Sequence, residues 1–85
     1  MSEEKVGKVM AFYAKISVAA IELTDGPLKI GDKIKIKGAT TDFEQTVDSM
    51  QVEHDSVQDA AKGSSVGIKV KDKVRPNDQI LKITE

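Results

Sequence analysis

The chain has 85 residues, no cysteine and a formal net charge of −1, which fits one small domain with a thin core and excludes disulfide bonds and thiolate metal sites. The charge also lacks the basic excess of a typical stand-alone nucleic-acid-binding domain. The polar N-terminus has no signal-peptide pattern and no run approaches the roughly 20 apolar residues that cross a bilayer, so we expect a soluble, cytoplasmic protein.

The first part of the chain is open to two interpretations. Residues 1–5 are polar and are expected to form a flexible N-terminal tail, with a single domain spanning residues 6–85. Residues 6–23 could place apolar side chains on one face of a helix. However, they are rich in Val, Ile, Phe and Tyr, have Gly7 near the start and lack a capping residue before the first apolar position. This composition favours two strands, residues 6–13 and 17–23.

Turn-forming residues divide the remainder of the chain. They lie at residues 24–27, 31–32, 38–42, 62–65 and 76–78. The segments between them have the period of two that is typical of strands and are predicted as strands at residues 33–37, 43–53, 66–70 and 79–83. Residues 56–63 fit either one helical turn ended by Gly63 or a short edge strand.

Two predicted strands carry irregularities. Gly67 lies inside the strand at 66–70, where glycine permits a bend or a close backbone approach. In residues 43–53 the apolar pattern slips by one position between Val47 and Met50. Such a slip predicts a bulge or a strand that changes sheets. With six or seven short strands and no convincing helix, the predicted class is all-β, a small six- to seven-stranded closed barrel, because closure removes exposed sheet edges.

Three motifs stand in order along this pattern. They are residues 6–9 (Val-Gly-Lys-Val), residues 28–36 (Leu-Lys-Ile-Gly-Asp-Lys-Ile-Lys-Ile), and residues 47–54 followed by 60–68. Together they resemble domain II, the β-barrel after the nucleotide-binding domain in translational GTPases such as elongation factor Tu, and in particular free-standing proteins that consist of this barrel alone. The resemblance implies contact with tRNA, ribosomal RNA or a ribonucleoprotein. The Gly-x-x-x-x-Gly-Lys-Ser/Thr loop is missing, so no nucleotide hydrolysis and no cofactor are expected.

The lysines are the candidate binding residues. Net charges of +3 in residues 26–41 and +4 in residues 61–75 flank −6 in residues 42–60, so a folded sheet could bring two basic blocks together. Lysines at alternate positions of a strand have a spacing comparable to that of phosphates along a nucleic acid. The candidate nucleic-acid-binding residues are Lys33, Lys35, Lys37, Lys69, Lys71, Lys73 and Arg75. The alternative is that these side chains only keep an exposed strand face in solvent and prevent its pairing with other strands, while neighbouring carboxylates neutralise their charge.

Catalytic and metal sites are not predicted. His54 is the only histidine, and no nucleophile-elbow sequence surrounds Ser49 or Ser56. Asp55 and Asp59 near this histidine match no metal-ligand spacing. The predicted function is therefore a non-enzymatic binding module related to translation elongation factors.

The alternative function is a protein-docking module. Such a module would serve a separate enzyme or self-association, since related barrels occur as appended domains in larger enzymes, including collagenase-like peptidases. Phe12 and Tyr13 are adjacent, so one of them is expected to be exposed as a contact point for a partner protein.

Overall fold

The computed structural model describes residues 2–53 and 55–84, and every regular element in these two ranges is a strand. The strands are β1 (Ser2–Tyr13), β2 (Val18–Glu22), β3 (Leu28–Lys29), β4 (Lys33–Lys37), β5 (Asp42–Thr46), β6 (Met50–Val52), β7 (Asp55–Ser56), β8 (Asp59–Ala60), β9 (Ser65–Lys69) and β10 (Gln79–Thr84). The all-β class is confirmed. The helical interpretation of residues 6–23 is wrong, because this segment forms β1 and β2.

The strands form one large and one small antiparallel sheet. Their order in the large sheet is β5-β4-β10-β1-β2-β9-β6-β7, and β3 pairs with β8. The number of strands exceeds the predicted six or seven because β3, β7 and β8 contain two residues each, too few to show a period of two. In the described residues no ladder joins the two ends of the large sheet, so the ladders do not form a closed barrel.

The first residues of β1 do not form the expected flexible tail. Ser2 pairs with Thr84 at the start of the ladder with β10, and their hydroxyl oxygens lie 2.6 Å apart. Farther along β1 the partner on the other side is β2. The ladder with β10 shifts register between Lys5 and Gly7. A Cβ at Gly7 would overlap the carbonyl oxygen of Glu22, so this bend requires a residue without a side chain.

The predicted irregularity between Val47 and Met50 marks a change of partner strand. β5 pairs with β4, whereas β6 pairs with β9 at the other side of the sheet. Both Val47 and Met50 are buried. Three residues separate the two strands, which reorients the chain while both apolar side chains still reach the core. Because β5 and β6 belong to the same sheet, the chain changes its partner strand but not its sheet.

The segment before β9 contains no helical turn. Residues 56–63 form the end of β7 and all of β8, which pairs with β3. Gly63 has φ 94°, a conformation that glycine adopts without strain, and it precedes β9. The short-strand alternative is therefore the one that the structure contains.

A tight turn at residues 29–32 introduces β4. The Asp32 amide donates to the carbonyl oxygen of Lys29 (3.2 Å), while the Asp32 carboxylate accepts the amide of Lys29 (3.0 Å). Gly31 has φ 95°, as the third residue of a type II turn requires. The turn is anchored to Val47 by two hydrogen bonds: the Gly31 amide donates to the Val47 carbonyl (2.9 Å), and the Val47 amide donates to the Asp32 carbonyl (2.9 Å).

A second turn, at residues 75–78, repeats these bonds before β10. The Asp78 amide donates to the Arg75 carbonyl (3.1 Å), and the Asp78 carboxylate accepts the Arg75 amide (2.9 Å). Asn77 has φ 76° in the place of the glycine. Its amide donates to the Val9 carbonyl (2.8 Å), and the Val9 amide donates to the Asp78 carbonyl (2.8 Å). The predicted turn at residues 76–78 is confirmed.

The two turns reveal an approximate two-fold symmetry. The strands that they introduce, β4 and β10, pair in a ladder that is symmetric about the Lys35–Leu81 pair. Each turn is held by one valine: Val9 of β1, which pairs with β10, or Val47 directly after β5, which pairs with β4. The fold therefore consists of two related halves. In the centre of the large sheet, the order β5-β4-β10-β1 alternates between strands from the second and the first half of the chain.

The core lies between the inward faces of this sheet. The fully buried large side chains come from both halves: Val9, Ile21, Leu23, Leu28, Ile34, Ile36, Val47, Met50, Ile68 and Ile80. The predicted burial of the two isoleucines of β4 is confirmed. The radius of gyration is 11.2 Å, close to the roughly 12 Å expected of a compact chain of this length.

Candidate functional site

A shallow apolar groove of about 250 Å³ crosses the outer face of β2, β9 and β6. Small residues stand opposite one another in its floor, where Ala20 pairs with Gly67 and Gly67 pairs with Gln51. A Cβ at residue 67 would lie 3.3 Å from Cγ1 of Val18, so the close neighbour of this glycine is a side chain and not the backbone of another strand. The floor lies close to the backbone of the sheet, because successive side chains of a strand point to opposite faces and the larger ones here point to the core.

Two exposed apolar side chains form one end of the groove. Tyr13 is 54% exposed and Ile16 is 61% exposed, and both line the groove. Tyr13 ends β1, and Ile16 lies in the turn between β1 and β2, in which Ser17 has φ 54°. Phe12 packs against the core, so the prediction that one of the two adjacent aromatic residues is exposed is confirmed. Ile16 was missed, although a large apolar residue between two predicted strands was the available signal.

Two of the candidate lysines are engaged in ion pairs. Lys33 Nζ lies 3.3 Å from Oε1 of Glu44. Lys35 Nζ lies 3.7 Å from Oε2 of Glu3 and 3.9 Å from Oδ1 of Asp42. These carboxylates belong to β1 and β5, the strands on either side of the pair β4–β10. The first lysine row is therefore largely neutralised by neighbours that only the strand order brings close.

The other candidate cations have no ion-pair partner within residues 2–53 and 55–84. They are Lys37, Lys69, Lys71, Lys73 and Arg75. β5 lies between β4 and the segment of Lys69 and Lys71, because the Gln45 side chain donates to the Lys69 carbonyl (2.8 Å) and accepts the Lys71 amide (2.9 Å). The two basic blocks therefore meet on either side of β5.

Part of this basic surface surrounds a hollow of about 300 Å³, which we call the basic cradle. It is lined by Thr40, Thr41, Asp42, Phe43, Asp72, Lys73 and Arg75. Lys71 Nζ lies 5.9 Å from the centre of the Phe43 ring, within the range of a cation–π contact. The cradle combines an aromatic ring with several cations, and no sequence motif marked it as a unit.

The structure contains no candidate metal centre in the residues it describes. No group of three or more His, Cys, Asp or Glu residues there could hold a metal ion. Asp55 on β7 and Asp59 on β8 are both exposed. His54, considered above for catalysis, lies outside the described residues. Within those residues, no helix has the length and apolar character that a membrane crossing needs.

Comparison with solved structures identifies the fold. The chain superposes on the crystal structure of the C-terminal domain of a "putative U32 peptidase" from Geobacillus thermoleovorans with a TM-score of 0.88, covering 95% of this chain and 93% of that chain at 20% sequence identity. The selenomethionine variant of the same domain gives a TM-score of 0.85 at 20% identity, covering 91% of this chain and 96% of that chain. At this level of identity the likeness establishes the shared fold.

Comparison with curated sequences finds proteases. The chain is 46% identical over 82 residues to an uncharacterized protease of Methanocaldococcus jannaschii, covering 95% of this chain and 20% of that protein. It is 40% identical over 78 residues to a collagenase of Porphyromonas gingivalis, covering 91% of this chain and 22% of that protein. The chain thus spans about a fifth of the length of these relatives. No family model matches it.

The predicted kinship with domain II of the translational GTPases is wrong, because these relatives are named a protease and a collagenase. The predicted translation-related, RNA-binding function and the prediction that the chain is not an enzyme are contradicted by the same relatives. One of the three motifs that suggested the kinship, residues 28–36, has a structural origin. Gly31-Asp32 closes a type II turn before a strand, and Asn77-Asp78 does the same in the second half. This motif reports turn geometry and carries no information about function.

Proposed function

We propose that the chain is a domain of a U32-type peptidase and that it binds the polypeptide substrate in the apolar groove. The proposal is supported by relatives named as protease and collagenase and by the fold of a U32 peptidase C-terminal domain. The observation that carries the substrate-binding role is the exposure of Tyr13 and Ile16 beside an apolar floor. Large apolar side chains exposed together at a groove are typical of binding sites.

The chemistry of the groove suits an extended polypeptide with an apolar side chain. The Ala20–Gly67 floor offers a smooth apolar surface, and the polar side chains of Gln51, Glu53 and Ser65 also line the groove. These polar groups can exchange hydrogen bonds with the main chain of a bound segment. Covering the exposed part of Ile16 contributes about 1–2 kcal/mol to the free energy of binding. This is the exposed share of the roughly 1.5–3 kcal/mol that complete burial of such a side chain contributes.

We also propose that the large sheet closes into a barrel through β5 and β6. These strands are separated by only residues 47–49, yet β5 pairs with β4 at one end of the sheet and β6 with β9 near the other. A short covalent link between the two ends requires the sheet to curl. The two Gln45 hydrogen bonds to Lys69 and Lys71 span the seam where a backbone ladder is missing.

The groove can be tested with the intrinsic fluorescence of the protein. Tyr13 is the only tyrosine and the chain has no tryptophan, so its emission reports directly on the groove. We expect a saturable change with an unstructured Leu- and Pro-containing peptide that lacks Tyr and Trp. A Gly/Ser peptide of equal length should cause no change.

Matched variants separate the groove from general hydrophobic binding. Ile16→Ser should weaken peptide binding by roughly 5- to 30-fold, the equivalent of about 1–2 kcal/mol. Ile30→Ser is the control, because Ile30 is also exposed (40%) but does not line the groove. Equal binding by the Ile16→Ser variant and the wild type would refute the proposal. Concentration-dependent dimerisation in sedimentation, lost in Ile16→Ser, would instead assign the groove to a second copy of the chain.

A further inference from the structure

The approximate two-fold symmetry allows two equivalent hollows to be compared. Beside the first turn lies a hollow of about 400 Å³ whose lining includes Lys29, Asp32, Asp59 and Lys82. Beside the second turn lies the basic cradle, in which Arg75 takes the place of Lys29. The bonds of the two turns are the same, so a difference in the charges of the hollows reflects the side chains alone.

The charges are balanced in the first hollow. Lys82 Nζ lies 3.5 Å from Oδ2 of Asp32, whose side chain is 9% exposed. Lys29 stands opposite Asp59 in the ladder between β3 and β8. The lining of this hollow thus contains two cations and two carboxylates, of which Lys82 and Asp32 form an ion pair.

The charges are not balanced in the basic cradle. Asp78, the equivalent of Asp32, is buried and its carboxylate accepts the Arg75 amide. In the first hollow Asp32 is paired with Lys82. The residue related to Lys82 by the approximate symmetry is Ile36, so Asp78 has no lysine at the equivalent position. The side chains of Lys73 and Arg75 have no ion-pair partner in the described part of the chain.

Two carboxylates line the cradle, and both have other contacts. Asp42 lies 3.9 Å from Lys35 Nζ. Asp72 accepts the main-chain amide of Lys73 at 2.8 Å. The lining itself contains the two cations Lys73 and Arg75 and these two carboxylates. Lys71, above the ring of the lining residue Phe43, adds a third cation beside them, which gives an excess of positive charge.

We propose that the basic cradle binds an acidic segment of a polypeptide through the side-chain carboxylates of that segment. Arg75 supplies a guanidinium suited to bidentate carboxylate recognition, and Lys71 and Lys73 are further cations for neighbouring carboxylates. Phe43 provides an apolar surface for the methylene groups of Glu side chains. Three separate cations exceed what one terminal carboxylate can use, which favours a run of acidic side chains.

This inference is independent of the groove. The cradle and the groove share no lining residue. A variant of one site therefore leaves the other intact, and failure of either proposal can be recognised separately.

Fluorescence anisotropy with a labelled, C-terminally amidated peptide of alternating Glu and Gly tests the proposal. The wild-type chain should bind it at low salt, and the double variant Lys73→Ala/Arg75→Ala should bind roughly tenfold or more weakly, as expected when unpaired surface cations are removed. The turn should persist in this variant, because Arg75 contacts Asp78 through its main-chain amide. Unchanged near-UV circular dichroism would verify this.

Lys29→Ala is the matched control, since Lys29 is the symmetry-related residue in the balanced hollow. It removes a positive charge at the equivalent turn and should leave peptide affinity within about twofold of the wild type. Equal losses from Lys29→Ala and Arg75→Ala would overturn the proposal, because the binding would then depend only on net charge. Equal or tighter binding of an RNA homopolymer, or of a neutral peptide with a free terminal carboxylate, would overturn it as well.

Discussion

Removal of the Gln45 side chain tests how β5 is held against residues 69–71, the seam at which we propose that the sheet closes. The Gln45 side chain donates a hydrogen bond to the Lys69 carbonyl (2.8 Å) and accepts one from the main-chain amide of Lys71 (2.9 Å). Each such bond contributes about 1 kcal/mol net, and solvent near these exposed groups compensates for part of the loss. We therefore expect Gln45→Ala to lower the free energy of unfolding by about 1–2 kcal/mol. A loss of 1 kcal/mol corresponds to roughly 4–8 °C in the melting temperature of a domain of this size.

Gln45→Met distinguishes hydrogen bonding from packing. Methionine keeps a side chain of similar length but can form neither bond, so it should destabilise the protein almost as much as alanine. Urea unfolding gives the free energies, and hydrogen exchange of the Lys71 amide reports the seam directly. Gln51→Ala, at an exposed position of β6, is the control. The reasoning fails if Gln45→Met is as stable as the wild type and the Lys71 amide keeps its protection.

Two further predictions concern backbone positions. Gly7→Ala should cost about 1–3 kcal/mol, because its Cβ would overlap the main-chain oxygen of Glu22. Gly26→Ala, whose Cβ would make an ordinary 3.4 Å contact, should be neutral or slightly stabilising in the same urea experiment. Gly31→Ala should cost about 1–2 kcal/mol because φ is 95° there, and Asn77→Gly, at the equivalent turn position, should stay within about 0.5 kcal/mol of the wild type. Equal melting temperatures for Gly31→Ala and Asn77→Gly would contradict the proposed equivalence of the turns.

Local patterns predicted the longer strands well. The alternation at residues 33–37 places Ile34 and Ile36 in the core, as observed, because the direction of side chains in a strand depends only on its own backbone. The slip before Met50 correctly indicated an irregularity, but it predicted a bulge or a change of sheet, whereas the structure has a break between two strands of one sheet. β3 and β7 were not predicted, and a short strand such as β8 was one of two alternatives for residues 56–63. Two residues are too few to show a period of two, and β3 and β8 exist only through pairing with each other across about 30 residues of sequence.

The candidate site was less predictable because it is assembled from several strands. Ala20, Gly67 and Gln51 are separated in the sequence but adjacent in the sheet. The floor that they form arises from strand order and register, which no single segment specifies. The ion pairs that neutralise Lys33 and Lys35 come from β1 and β5 and depend on the same order.

The sequence by itself determined the strand class, the turns with glycine or asparagine at positive φ, and the residues that fill the core, since each of these follows from conformational preference and side-chain alternation within a short segment. Only the tertiary structure decided which lysines are neutralised and which surround the basic cradle. The energy of a charge depends on its distance to other charges, and those distances are set by strands that meet from opposite ends of the chain.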